Sequence, residues 1–282
     1  MSSIVEKIPT TDTISYRIRF MRELPQGATT LKKFLFPEVF FAVVQTVSLE
    51  DILKNGVGEN SADEICFLFI SSGFKAEWHQ QTEEWFNKSM KDSACAPIEL
   101  NVKNNKILWQ PGKTIIYGSS YSEETLLSLV EFSFYESHLR DLERQMDTDL
   151  EICHKDVHLT HSVGPLDSKQ QAHVNNMTKR SMLARIKFVR LEPCLGKSSP
   201  NLPGLERRML EEISEKTAIS DRLETVDDKL EVLEDVYELA NDRLTEFRYF
   251  SEEARLERWV IFLLWLEVAL LLLELFMFWI KK

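Results

Sequence analysis

The chain has 282 residues, is 44% hydrophobic and 28% charged, and carries a formal net charge of −11 with a pI near 5.2. That length gives one or two folded units with enough apolar content for a packed core. The acidity argues against a general nucleic-acid binder, which needs clustered Lys and Arg to neutralise phosphates, and leaves only weak sequence-specific RNA contact open.

The first twenty residues have no apolar core and mix Glu6 and Asp12 among their bases, which argues against a secretory signal and a mitochondrial presequence. Residues 14–20 alternate Ile14, Tyr16, Ile18 and Phe20 with polar neighbours, the pattern of a half-buried strand. Residues 34–44 and 64–70 are apolar runs of strand length. Gly73, between CFLFI and FKAEW, suggests a hairpin, and residues 106–117 give another across Gln110, Pro111, Gly112 and Lys113. A capping box from Ser120 to Glu123 starts a helix with Phe132, Tyr135, Leu139, Leu142 and Met146 on one stripe. Residues 1–195 are therefore expected to form an α+β domain.

Chemistry-bearing motifs are sparse. Cys66, Cys95, Cys153 and Cys194 lack CxxC spacing and fit reduced thiols without a disulfide framework. The GKS at residues 196–198 is not a P-loop, because Leu191 stands where its first glycine belongs. Cys153, His154, His158 and His161 cluster in CHKDVHLTH, and His154 and His158 would share a helix face as zinc ligands often do, yet the cluster lacks a supporting Glu motif. It is a weak metal candidate, and the basis of an alternative reading as a metal-dependent enzyme. No GxSxG, HExxH or glycine-rich dinucleotide loop occurs. No catalytic residue, resident metal or cofactor is expected, and the chain reads as non-enzymatic.

Residues 196–204, GKSSPNLPG, form a turn-rich linker, after which residues 205–258 lack Gly and Pro and are rich in Glu, Leu, Arg and Asp. Ile219, Leu223, Val226, Leu230, Leu233, Tyr237, Ala240, Leu244 and Phe247 recur at spacings of four and three, a coiled-coil seam. Val232, Val236 and Leu239 form a partial second stripe, so an oligomer of this chain and packing within one chain are both open. A SNARE-like membrane tether also places heptads before an anchor, but it carries a Gln or Arg in its central layer where this seam is apolar. The acidity of the helix should repel an anionic membrane surface.

Residues 259–280 read WVIFLLWLEVALLLLELFMFWI, flanked by Arg258, Lys281 and Lys282. At about 1.5 Å per residue this run reaches about 33 Å, the thickness of a bilayer's hydrocarbon core. Trp259 and Trp279 sit at its ends, where indoles favour the headgroup level. A transmembrane helix inserted after translation, as in tail-anchored proteins, is expected, with the bulk of the chain facing the cytosol or a bacterial cytoplasm. Glu267 and Glu274 lie seven residues apart inside the run, nearly on one helix face. A carboxylate there costs about 2.5–3.5 kcal/mol on insertion scales, so each should be protonated, paired with another helix or drawn to the interface.

LEVLEDVYELANDRLTEFR followed by RLERWVIFLLWLEV resembles the closing pattern of the required-for-meiotic-nuclear-division family, a long helix entering a hydrophobic span, with Leu256, Glu257 and Glu267 on that pattern. FLFISSGFKAEW resembles the family's strand, Gly turn and strand ending in Trp, and EFSFYESHLRDLE its helix ending in a Leu-Glu pair. The resemblance implies a membrane-anchored, oligomerising α+β protein without established catalysis; mitochondrial relatives are linked to organellar translation, so a mitochondrial membrane is a further location. The expected role is a scaffold or adaptor whose partners are copies of itself or other proteins, in organellar translation or division-related processes.

Overall fold

The computed structural model describes residues 13–55, 63–73, 76–87, 97–120, 122–161, 168–196 and 204–280, with the backbone alone at 55, 76–78, 247, 248, 250–252, 254 and 274–280. The fold is α+β, with a seven-stranded mixed sheet and a long C-terminal helix. Contacts gather the chain into two compact units, Met1–Met146 with Ala184–Asp228 and Asp147–Leu183 with Lys229–Lys282.

The first unit holds the sheet. Its strands β1 (Thr13–Met21), β2 (Thr29–Phe34), β3 (Phe40–Thr46), β4 (Glu64–Ser71), β5 (Ile98–Val102), β6 (Asn105–Gln110) and β7 (Lys113–Gly118) lie in the order β2-β3-β1-β4-β7-β6-β5. The β4–β7 pair is parallel and the other pairs are antiparallel. Strand β4, EICFLFIS, is buried at every position but its last, as a central strand covered on both faces requires. Cys66, Leu68 and Ile70 face Ile52 of helix α1 (Leu49–Asn55) and Trp85 and Phe86 of α2 (Ala76–Asn87). On the opposite face lies α3 (Glu123–Asp156). Phe134 stacks 4.0 Å from Phe34, and the Trp109 indole N–H donates to Ser133 Oγ at 2.9 Å.

Several expected elements shift. The run at residues 34–44 is two strands, because Pro37 has no N–H for a ladder and falls in the connection between β2 and β3. The strand expected at FKAEW is replaced where it is described, since α2 starts at Ala76 and β4 pairs with β1 and β7, while Phe74 and Lys75 lie outside the described residues. The helix cap is Ser122 rather than Ser120, its Oγ accepting the Thr125 N–H at 3.1 Å. Both Ser122 and Thr125 donate hydroxyls to the buried Glu206 carboxylate, which places a negative group by the N-terminus of α3. At the other helix polarity, Gln110 and the buried Lys113 ammonium donate to the Phe86 and Trp85 carbonyls at the C-terminus of α2, each at 2.8 Å.

The expected single helix at residues 205–258 is two helices, α5 (Gly204–Lys216) and α6 (Ile219–Ile280). Ala218 divides them with a left-handed φ of 50°. Glu206 of α5 serves the α3 cap described above, while Arg222 in the second turn of α6 pairs with Glu136 and Glu143 of α3. The linker expected at residues 196–204 lies outside the described residues except for Gly196, which ends α4 (Ser168–Gly196), and Gly204.

The second unit packs residues 147–156 of α3, a 3₁₀ turn at Val157–Thr160, residues 168–183 of α4 and α6 from Lys229 onward. Arg180 of α4 pairs with the buried Asp149 of α3, and Lys229 with Asp147. The Asp156 Oδ2 accepts the Tyr237 hydroxyl at 2.8 Å and lies 2.6 Å from His173 Nε2, joining three helices at one carboxylate.

Candidate interaction surface and apolar helix

Heptad spacing places Ile219, Leu223, Val226, Leu230, Leu233, Tyr237, Ala240 and Leu244 on one side of α6, and all eight are buried. The seam is thus used inside a single chain. Packing within one chain is enough to cover it. The Phe247 side chain lies outside the described residues.

The matching seam on α4 was not read from the sequence. Val174, Met177, Ser181, Ala184, Phe188, Leu191 and Leu195 also recur at spacings of three and four, and all are buried. Its small members Ser181 and Ala184 weaken the periodic signal. Met182, Leu183, Ile186 and Val189 weaken it further, because they are apolar yet exposed elsewhere on the helix.

Tyr237 is the polar member of the α6 seam. Burial first, and then the hydrogen bond and charge of Asp156, push its phenol well above its ordinary value, so it stays protonated and donates to that carboxylate. The neighbouring Cys153–His161 cluster does not converge. Cys153 is buried, while His154, His158 and His161 are exposed and the chain leaves α-helical geometry after Asp156. The His158 ring Nδ1 lies 2.7 Å from the Lys155 carbonyl oxygen. Among the described residues no group of three or more His, Cys, Asp and Glu is placed to hold a metal ion. The histidine tied into the fold here is His173, twelve residues beyond the cluster.

Among the described residues the thiols also lack the lowered pKa of a nucleophile. Burial, with the charge of Glu64 adding, pushes Cys66 up to about 11; burial and Asp156 raise Cys153. Cys194 is exposed on α4, and Cys95 lies outside the described residues.

Helix α6 continues unbroken from the seam into the apolar run. From Trp259, 60% exposed, to Leu273, 61% exposed, every residue is exposed, Glu267 included. Among the described residues no helix is long and apolar enough to cross a membrane. The described side chains stop at Leu273, so Glu274, Trp279 and the rest of the run seen in the sequence lie outside them. A stretch of large apolar side chains exposed all round a helix is far beyond the scattered exposed residues of a water-facing surface.

Among solved structures the chain is similar to the CorA magnesium transporter from Methanocaldococcus jannaschii, with a TM-score of 0.33 and 10% identity over 87% of this chain and 80% of that one. It is also similar to the full-length CmaX protein, with a TM-score of 0.31 and 10% identity over 90% of this chain and 83% of that one. Neither likeness speaks to what this chain binds or moves. No family model matches the chain, and no curated protein matches it.

Proposed function

We propose that the chain is a non-enzymatic scaffold of the required-for-meiotic-nuclear-division kind, anchored in a membrane by residues 259–280 and presenting its helices and sheet domain to protein partners in the cytosol, a bacterial cytoplasm or a mitochondrial compartment. The observation that carries the reading is the exposed apolar surface of α6 from Trp259 to Leu273, which the sequence extends to Ile280. Fifteen Val, Ile, Leu and Phe residues lie between Val260 and Ile280. At about −0.3 to −0.6 kcal/mol each on insertion scales they offset two carboxyl groups at about 2.5–3.5 kcal/mol each, and protonation or displacement from the bilayer centre lowers the latter cost. Insertion is favourable once the two carboxyl groups are protonated or displaced from the bilayer centre, and two added charges would reverse it.

The test is flotation of the reconstituted full chain with neutral phosphatidylcholine vesicles. The native chain is expected in the floating fraction, and a Leu264→Lys, Leu271→Lys variant in the pellet or load. Equal behaviour of the two would remove the anchor from the reading.

A further inference from the structure

Helix α4 is basic within an acidic protein: Lys169, Lys179, Arg180, Arg185, Lys187 and Arg190 stand against Glu192. Within the first unit, Ile186 and Val189 are 51% and 56% exposed on this helix, with Lys187 and Arg190 exposed beside them. Helix α6 carries the opposite charge. Within the second unit, Val232 and Leu239 are 50% and 55% exposed, and Asp235 and Asp242 stand seven residues apart along the same side. A seven-residue repeat drifts only about 20° per step on a straight helix, so these two aspartates line up beside the two apolar residues. Each surface is an apolar strip edged mainly by one sign of charge, the exceptions being Glu192 on α4 and Arg243, which pairs with Glu246, on α6.

We propose that the basic face of α4 docks on the acidic face of α6 in a second copy of this chain. The inference rests on the scaffold reading and names one of its partners. Charge complementarity selects the pairing: α4 on α4 would oppose bases, and α6 on α6 would oppose acids, each of which like-charge repulsion disfavours. Only the mixed pairing brings opposite charges together while Ile186, Val189, Val232 and Leu239 leave water. A pairing of this type already exists inside the chain, where Arg185 of α4 pairs with Asp227 of α6. Because the two faces are different patches, the contact is heterologous. Every copy offers one of each, and assembly proceeds to a closed ring or an open array. Chains anchored in one membrane share an orientation, which favours closure about the membrane normal.

The test measures the mass of the full chain in a non-ionic detergent, where no anionic lipid is present to occupy the basic face. The native chain is expected as a multiple of its 32.9 kDa protomer, dissociating as salt is raised. Lys187→Glu with Arg190→Glu, and separately Asp235→Lys with Asp242→Lys, should each give single chains. Mixing these two variants sets each native face against a native one and each reversed face against a reversed one, and should restore assembly with the two variants alternating. All four substitutions in one chain should restore the native assembly, which excludes misfolding as the cause of the losses. Assembly unchanged by either variant would overturn the assigned faces while leaving the anchored scaffold standing. A native chain that is monomeric at low salt, and binds anionic vesicles through α4 alone, would overturn the proposal in favour of a lipid surface. Failure of the native chain to float with vesicles strikes the anchor instead.

Discussion

Arg222 of α6 clamps Glu143 of α3 through two parallel hydrogen bonds, Nε to Oε1 at 2.7 Å and Nη2 to Oε2 at 2.8 Å, while its Nη1 reaches Glu136 at 3.0 Å. Burial alone would weaken the guanidinium's charge; the Glu143 hydrogen bonds and the Glu136 charge more than offset it, and its pKa is raised. Arg222→Met should cost about 3 kcal/mol, because Glu136, wholly buried, keeps only Arg140 as its counter-ion. Arg222→Lys should recover part of that loss, since Lys keeps the charge but not the planar fork. Urea unfolding of the detergent-solubilised chain measures both, and equal loss in the two variants would show that charge contributes nothing.

His138 supplies a pH dependence. Its ring meets Phe134 edge-on at 4.5 Å and Phe40 at 5.8 Å, and burial lowers its pKa from 6.5 to about 4, against the pull of Asp63 and Glu38 and with the help of Lys187. A pKa lowered by folding means that the stabilisation is complete above about pH 6.5 and is lost as pH falls through 4, on the order of 3 kcal/mol in all. His138→Phe should flatten the stability profile across that window. An unchanged acid slope in the variant would assign the dependence to other groups.

Ala218 holds a left-handed φ of 50° between α5 and α6. Glycine adopts that geometry without the Cβ clash, which is worth about 1–2 kcal/mol per residue, less the entropy glycine adds to the unfolded chain. Ala218→Gly should therefore raise the midpoint of thermal unfolding slightly, whereas Ala218→Val should lower it. A fall on glycine substitution would show that the turn is not strained.

The seam makes a different demand. Leu230 is fully buried inside one chain, so Leu230→Ala should destabilise the fold by about 3 kcal/mol at any protein concentration. Charged residues at Leu230 and Leu233 together should unfold the helix pair yet leave membrane retention intact. A concentration-dependent loss would return the seam to an intermolecular role.

What could be read in the sequence follows from where one physical signal dominated. The strand at β1 and the α6 seam show periods of two and of three to four, because each has one mainly buried face, whereas the β6–β7 hairpin is legible from its turn at Gln110, Pro111, Gly112 and Lys113. Strand β4 is buried on both faces, so its apolar run fixed its existence but not its partners, and FKAEW was assigned to a hairpin that long-range pairing with β7 overrides. Helix α4 was missed because apolar residues lie on its buried and exposed sides alike. The interaction surface was hidden for the same reason. Exposed Ile186 and Val189 cannot be told from core residues until the fold shows which side of the helix is covered. The cysteine and histidine cluster does not converge because a shared face for His154 and His158 needs a helix through His158, and the helix gives way to a 3₁₀ turn at Val157.

The account stands on the anchor, and alkaline carbonate extraction of membranes from cells producing the full chain tests it most directly. The chain should remain in the membrane pellet, while the Leu264→Lys, Leu271→Lys variant appears in the supernatant. Release of the native chain by carbonate would contradict the account, and the exposed surface from Trp259 to Leu273 would then require a protein partner to cover it.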